Sequence, residues 1–179
     1  SRGLGDVYKR QILRDSFGID LMLMGSGAIR SYSLGPVVHY ADLVECLPYD
    51  DAVYMLKVTG TQLERMIRHI LRDEAFQGEH TEFYQFSHGM RIVWSRSGQV
   101  FRELTLDGEV LHADRLYSVA MQKYHYNNLK PFLNITLEEA EQNGKIRVLS
   151  TSARDVVEEY LTVNQHLSRE VEGRLVVEA

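Results

Sequence analysis

The 179-residue chain has one cysteine, Cys46, and this scarcity excludes an internal disulfide and a cysteine-rich zinc site. A single thiol is compatible with an oxidising or a reducing compartment, so the compartment stays open. No apolar run approaches the roughly 18 to 20 residues that a helix needs to cross a bilayer, and no apolar signal-peptide core stands at the N-terminus. The sequence therefore contains no predicted membrane span.

Basic residues do not cluster anywhere along the chain. The chain has 20 Lys and Arg against 25 Asp and Glu, and its formal net charge is −5. No window carries a dense basic run, and the aromatic residues are not interleaved with basic ones as a nucleic-acid groove requires. We predict no nucleic-acid partner. A hydrophobic content of 44% is enough for one core, and the length favours a single domain.

Residues 1–11, SRGLGDVYKRQ, resemble a translated sequencing adapter rather than part of a fold. We expect them to be a non-native tail and exclude them from the predicted domain, which covers residues 12–179. A genuine, exposed basic arm is the alternative. The chain also starts without methionine, and we expect it to be a fragment of a longer protein.

Strand patterns dominate the middle of the chain. Residues 19–24 are apolar apart from Asp20 and are followed by glycine, which indicates a buried strand. Asp107-Gly108 is a strong signal for a tight hairpin turn. The predicted strands cover residues 19–24, 52–58, 83–86, 90–94, 100–106, 109–111, 115–121 and 146–149. Several follow one another through short turns, so we predict a central β-meander.

Capping patterns indicate where helices begin. Thr61 with Glu64, and Thr136 with Glu139, both match the capping box that opens a helix. After the first box, one helix face carries Leu63, Met66, Ile67, Ile70 and Leu71 at helical spacing. The helix after the second box is short and ends near Gly144. Two further helices are predicted at residues 42–46 and 152–166. The irregular alternation of helices and strands predicts an α+β fold, a single domain with a mixed sheet and flanking helices.

A run of small residues follows the first predicted strand. Gly25-Ser26-Gly27-Ala28 would let the backbone approach a ligand closely, and Arg30 is the first side chain behind it that can hold an anion. Guanidinium binds phosphate well because its planar fork bonds two oxygens and keeps its charge. From spacing alone, a surface salt bridge for Arg30 is about as well supported.

The segment that ends at Arg30 resembles the Gly-Gly-Ile-Arg signature of the C-terminal domain of bifunctional metallophosphatase/5'-nucleotidases, the family of UDP-sugar hydrolase and ecto-5'-nucleotidase. Further matches follow in the family's order: Asp42-Leu43-Val44 with Leu47-Pro48-Tyr49, Leu56-Lys57-Val58-Thr59-Gly60, Phe86-Ser87-His88-Gly89-Met90-Arg91, and Val171-Glu172-Gly173-Arg174. Each match is short, but five in order make the resemblance specific.

The resemblance implies a substrate-binding role for particular residues. Arg30 would reach the phosphate and ribose of a nucleotide, with Gly27 in the close-approach loop. Tyr49, which follows Leu-Pro, would stack on one face of the base, and Tyr124 would stack on the other. Stacking on an aromatic ring contributes about 1 to 3 kcal/mol per base. The alternative is that the two tyrosines cap the edge of the core.

Two departures from the family pattern concern specificity. Gly25 stands where the family has an asparagine that contacts the base, so that contact is lost. The late loop reads His125-Tyr126-Asn127-Asn128-Leu129-Lys130 where the family has Asn-Gly-Gly-Asp. Asn127 or Asn128 could hydrogen-bond a ribose diol without the aspartate's charge, and Lys130 would favour another anion. The histidines lack the paired spacing of a metal site. A structural role is favoured for His80, for Glu82 two residues after it, and for His125 beside Tyr124.

The resemblance also implies partners outside this chain. The complete enzyme would hydrolyse a nucleotide or nucleotide sugar with two divalent metal ions held by an N-terminal metallophosphatase domain. The motifs of that domain are absent here, so we assign this chain no catalytic residue, metal or cofactor and expect it to be inactive alone.

Two other functions stay open. One is a non-catalytic module that binds a nucleotide or sugar phosphate, and the other is a cell-wall or pyrophosphate-sugar hydrolase. Family members are commonly periplasmic, secreted or on the cell surface, with cytoplasmic members possible, so we predict no location.

Overall fold

The computed structural model describes residues 12–28, 37–77, 82–166 and 172–179. Two sheets with surrounding helices make up this part of the chain. The strands are β1 (Leu21–Gly25), β2 (Val53–Thr59), β3 (Tyr84–Phe86), β4 (Met90–Ser95), β5 (Val100–Leu106), β6 (Glu109–Val110), β7 (Leu116–Gln122), β8 (Arg147–Ser150) and β9 (Leu175–Glu178). The α-helices are α1 (residues 12–17), α2 (Tyr40–Cys46), α3 (Gly60–Ile70), α4 (Lys123–Tyr126), α5 (Leu129–Leu133), α6 (Leu137–Gln142) and α7 (Ala153–Val163).

The first sheet has the strand order β3-β1-β7-β2-β8. β1 runs parallel to β7, with Leu21 opposite Val119, whereas β2 runs antiparallel to β7, with Val53 opposite Gln122. β3 is antiparallel to β1 and places Tyr84 opposite Gly25. Consequently β1 and β7 finish, and β2 and β3 begin, at one end of the sheet, which we call the β1–β7 end.

The second sheet has the order β6-β5-β4-β9. β4, β5 and β6 follow one another as antiparallel neighbours, and β9 pairs in parallel with β4. The turn between β5 and β6 has φ values of 51° at Asp107 and 83° at Gly108. Two consecutive positive φ values are what a tight two-residue hairpin requires, and an Asp-Gly pair supplies them at low cost.

The first sheet is covered on both faces, which is why β1 is apolar throughout and all five of its residues are buried. Side chains alternate between the faces of a strand. Leu21 and Leu23 join a cluster with α3 and with Ile92 and Trp94 of the second sheet. Met22 and Met24 join a second cluster with side chains of α1, α2 and α7.

The helix α3 begins two residues earlier than its sequence pattern predicts, so the prediction of a capping box at Thr61 and Glu64 is wrong. The cap is Thr59, whose hydroxyl accepts a hydrogen bond from the backbone N–H of Gln62, while the Gln62 side chain accepts one from the N–H of Thr59. Gly60 is the first helical residue. A Cβ there would lie 2.1 Å from the carbonyl oxygen of His112, so the site admits only glycine without a shift.

The α+β class and most predicted elements are confirmed, including the capping box of α6 at Thr136 and Glu139. The predicted meander holds for β4 to β6 only, because β3 and β7 join the first sheet. Residues 125–130 stand where the family pattern has a loop; here α4 ends at Tyr126, Asn127 and Asn128 form the connection, and α5 begins at Leu129. β9 was not predicted, because only its distant pairing with β4 makes it a strand. The tail at residues 1–11 lies outside the described residues.

No helix within the described ranges is long and apolar enough to cross a bilayer.

Thr59→Ala should lower the free energy of unfolding by about 1 kcal/mol, because it removes the side chain that caps α3. Thr61→Ala is the matched control, since its exposed hydroxyl makes one bond of 3.3 Å to the Ala113 carbonyl and its loss should cost clearly less. Urea denaturation of both variants measures the difference. A larger loss for Thr61→Ala would contradict the assigned cap.

Candidate functional site

The predicted site residues lie on segments that meet at the β1–β7 end. Gly27 belongs to a 3₁₀ turn (Ser26–Ala28) directly after β1, Tyr49 precedes β2, and Tyr124, Asn127 and Asn128 follow β7. The parallel pairing of β1 with β7 and the antiparallel pairing of β2 bring these three segments together. The remaining predicted residue, Arg30, lies outside the described residues.

The loop that carries Tyr49 is fixed by the start of α7. Asp50 accepts hydrogen bonds from the Ser152 hydroxyl at 2.8 Å and from the backbone N–H of Arg154 at 3.1 Å. The Arg154 guanidinium donates to the Leu47 carbonyl at 2.7 Å. The Tyr49 side chain is nevertheless 58% exposed. An ordered loop therefore presents an aromatic ring to solvent.

Tyr124 is attached to the same loop. Its backbone N–H donates to the carboxylate of Asp51 at 2.8 Å, and the N–H of Lys123 donates to the Ala52 carbonyl at 2.8 Å. Tyr124 is 55% exposed, and its ring contacts the ring of Phe132, with 5.8 Å between centroids. The two tyrosines thus stand on hydrogen-bonded neighbouring segments, and each keeps an exposed ring.

Asn127 and Asn128 lie between α4 and α5. Asn127 is exposed, and its backbone N–H donates to the Lys123 carbonyl at 2.8 Å. The Asn128 side-chain amide donates to the Tyr124 carbonyl at 2.7 Å, so part of its hydrogen-bonding capacity stabilises the helical turn. Lys130 donates to the side chain of Asn134, the residue that ends α5, at 3.0 Å. Local helix contacts therefore compete with the ligand roles suggested for this segment.

The space in front of Gly25 is filled by two polar side chains that are distant in sequence. A Cβ at Gly25 would lie 2.1 Å from Oε1 of Glu82, and 2.5 Å from Cε1 and 2.7 Å from Nε2 of His125. No other residue type fits there unless both neighbours move. By contrast, a Cβ at Gly27 would meet nothing within 4 Å. Close approach is thus required at Gly25 rather than at Gly27.

His125 is 3% exposed and hydrogen-bonded to Tyr84, with 2.9 Å between Nδ1 and the hydroxyl. Burial lowers the pKa of His125 to about 4, opposed by the charge of Asp51, so the imidazole is neutral near pH 7. Burial also raises the pKa of Tyr84, which keeps its proton. The hydrogen bond therefore joins a neutral phenol and a neutral imidazole, and its direction depends on the imidazole tautomer.

Glu82 links this pair to the turn after β1. Its carboxylate accepts a hydrogen bond from the backbone N–H of Gly27, which lowers the pKa of Glu82, but burial is the larger effect and raises it. The adjacent Phe83 carbonyl accepts a bond from the N–H of Ser26 at 2.8 Å. Glu82 and Phe83 together hold the turn that leads toward Arg30.

The sequence favoured a structural role for His125 and Glu82, and it gave no signal that they meet at Gly25. Only the register of β1 with β3 and β7 shows the contact. No group of three or more His, Cys, Asp or Glu side chains suited to a metal ion occurs among the residues that the structure describes.

A family model described as "5'-nucleotidase, C-terminal domain" matches residues 2–134. Several solved structures share the fold. A 5'-nucleotidase precursor from Thermus thermophilus is 19% identical, with a TM-score of 0.75 over 98% of this chain. The Haemophilus influenzae NAD nucleotidase NadN is 13% identical, with a TM-score of 0.77 over 97%. The Thermus thermophilus sulfate thiohydrolase SoxB is 16% identical, with a TM-score of 0.69 over 96%.

This chain spans about a third of the length of those proteins, at 35%, 32% and 31% of the three. At such low identities the structural likeness establishes the fold alone. No curated protein matches the sequence.

The buried imidazole predicts a pH dependence of stability. His125 gains a proton near pH 6.5 when unfolded but only near pH 4 when folded. Between these values the unfolded chain binds more protons, so stability is complete above about pH 6.5 and falls toward pH 4, by roughly 1 to 3 kcal/mol.

Urea denaturation at pH 7 and pH 5 measures this loss, and His125→Gln should show less of it than the wild type. Measurements at pH 7 and pH 8 are the internal control, since the imidazole is then neutral in both states. An equal loss in the variant would show that His125 is not responsible.

Proposed function

The chain belongs to the family of 5'-nucleotidase C-terminal domains, and we propose that it is the substrate-binding domain of a nucleotide phosphohydrolase of the 5'-nucleotidase or UDP-sugar hydrolase type. In this proposal the β1–β7 end holds the nucleoside and phosphate of the substrate. Hydrolysis takes place at a metallophosphatase domain in another part of a longer protein.

The observation that carries the proposal is the pair of exposed tyrosines. Tyr49 and Tyr124 are each more than half exposed, yet their backbones are held by Asp50 and Asp51 through hydrogen bonds to α7 and α4. Large exposed aromatic rings on an ordered scaffold are typical of a binding surface. Flat rings suit a flat ligand group, and stacking tolerates different bases.

The turn at Ser26–Ala28 supports the proposed binding of the phosphate group. Its backbone is fixed by Glu82 and Phe83 at the same end of the sheet as the tyrosines. Arg30 follows two residues later in sequence, and we propose that its guanidinium binds a phosphate group. Asn127, which is exposed, is the better placed of the two asparagines to bond a ribose hydroxyl.

Catalysis belongs to the rest of the protein in this proposal. Two divalent ions in the metallophosphatase domain would activate water and stabilise the charge of the transition state. The residues of this chain bind and orient the substrate. We expect no metal-dependent phosphatase activity from the 179-residue chain alone.

A non-catalytic binding module is the second candidate, and the segment from α4 to α5 favours it. Lys130 and Asn128 make local helix contacts in place of the acidic loop that the family resemblance leads one to expect. NadN and SoxB share the fold and differ in the activities that their names state. The fold is therefore compatible with ligands other than a mononucleotide.

Tyr49→Ala and Tyr124→Ala should each weaken the binding of nucleoside 5'-monophosphates by about 5- to 150-fold, the equivalent of 1 to 3 kcal/mol of stacking. Tyr49→Phe and Tyr124→Phe are matched controls, because they keep the ring and should bind within about threefold of the wild type. Isothermal titration calorimetry or ligand-observed NMR gives the dissociation constants. Unchanged affinity in both alanine variants would contradict a stacking role.

A further inference from the structure

We propose that Asn143 is a site of covalent modification, where the side-chain amide converts to an acid when the segment opens, and that this conversion breaks the junction between β2, α3 and α6. The inference goes beyond the proposed function, because none of the residues involved belongs to the proposed binding surface. The reaction is intramolecular and needs water as its only other reactant.

The sequence places the reacting groups next to each other. Asn143 is the one asparagine of the chain that precedes a glycine. In such a pair the backbone nitrogen of the glycine attacks Cγ of the asparagine, and a bond forms between the two atoms. The bond from Cγ to the side-chain nitrogen breaks, and that nitrogen leaves as ammonia with the proton that the backbone nitrogen gives up. Water then opens the cyclic succinimide to aspartate or isoaspartate.

The turn after α6 requires the glycine of this pair. Gly144 has a φ of 144°, a conformation that residues with a side chain rarely adopt. The absence of a side chain also leaves its backbone nitrogen unshielded for the attack on Asn143. The residue that allows the chain to turn is therefore the residue that makes the asparagine labile.

The folded backbone opposes ring closure in two ways. The N–H of Gly144 donates to the Glu141 carbonyl at 3.1 Å, which holds the nitrogen in place. Asn143 has a ψ of −11°. A ψ near zero aligns the Gly144 nitrogen with the backbone nitrogen of Asn143, whereas ring closure needs it aligned with Cβ. The segment must leave this conformation before the succinimide can form.

The side-chain amide of Asn143 is held as well. Its nitrogen donates to the Lys57 carbonyl at 3.1 Å and to Oε1 of Gln62 at 2.6 Å. The same Oε1 accepts the backbone N–H of Thr59 at 2.9 Å, within the capping box of α3. One amide group therefore joins the end of α6 to β2 and to the first turn of α3.

An acid at position 143 cannot replace this amide. Both partners are oxygen acceptors, and a carboxylate has no proton to donate to them. Its oxygens would instead face the oxygens of Lys57 and Gln62, and losing a donor in a partly buried contact is costly. The new negative charge would also lie at the C-terminal end of α6, where the helix dipole disfavours it. Isoaspartate would in addition lengthen the main chain by one carbon.

The first experiment follows the conversion of amide to acid in the 179-residue chain by peptide mapping and mass spectrometry. The chain is kept at mildly alkaline pH, either folded in buffer or unfolded in urea. In urea, Asn143 should convert faster than the four other asparagines, which are the internal reference. In buffer, its conversion should be at least about 10-fold slower than in urea, because only the opened fraction reacts.

The second experiment measures the effect of the product on stability. Asn143→Asp introduces the acid directly, and its equilibrium constant for unfolding should exceed that of the wild type by about 10- to 200-fold. Gln142→Glu is the matched control, since it makes the same change on an exposed side chain at the last residue of α6. Its constant should stay within about fivefold of the wild type. Urea denaturation gives both values.

Three outcomes would overturn the inference. Equal rates in buffer and urea would show that the fold does not protect the pair, and faster conversion of another asparagine in urea would place the labile site elsewhere. Equal stability of Asn143→Asp and Gln142→Glu would show that the junction does not depend on the amide. If Asn143→Asp does not fold, the rates measured on the wild type decide the question.

Discussion

The parallel pairing of β1 with β7 is the contact on which the rest of the structure depends. It places Leu21 opposite Val119 at the centre of the first sheet, where both faces are covered. Because the two strands run in the same direction, their carboxyl ends reach the same side of the molecule. The turn after β1 and the helix after β7 then lie together, although they are far apart in the chain.

A second set of contacts makes this end of the sheet a defined surface. Asp50 joins the Tyr49 loop to α7, and Asp51 joins it to α4. Glu82 holds the turn after β1. These carboxylates accept backbone or hydroxyl protons that would otherwise lack partners, so the loops are ordered while their tyrosine rings remain exposed. Order of the backbone together with exposure of the rings is the property that a stacking site needs.

Local patterns predicted the parts of the fold that local interactions determine. The apolar run of β1, the Asp107-Gly108 turn and the cap at Thr136 follow from neighbouring residues, and all three are confirmed. The choice between Thr59 and Thr61 as the cap of α3 could not be made locally, because both precede a residue that completes a box. The cap is at Thr59, and Gly60 beside it lies against the carbonyl of the distant His112. The same limit applies to the site. Gly25, Glu82 and His125 meet only through strand register, so the sequence identified the glycine but not the two side chains that lie against it.

The central claim is that the β1–β7 end binds a nucleotide, and a backbone amide NMR titration of the chain with a nucleoside 5'-monophosphate tests it most directly. We expect the largest chemical-shift changes at three segments, namely Gly25 to Ala28, Tyr49 to Ala52 and Tyr124 to Asn128, with little change in β4, β5 and β6. Changes centred on the second sheet, or none at millimolar ligand, would contradict it.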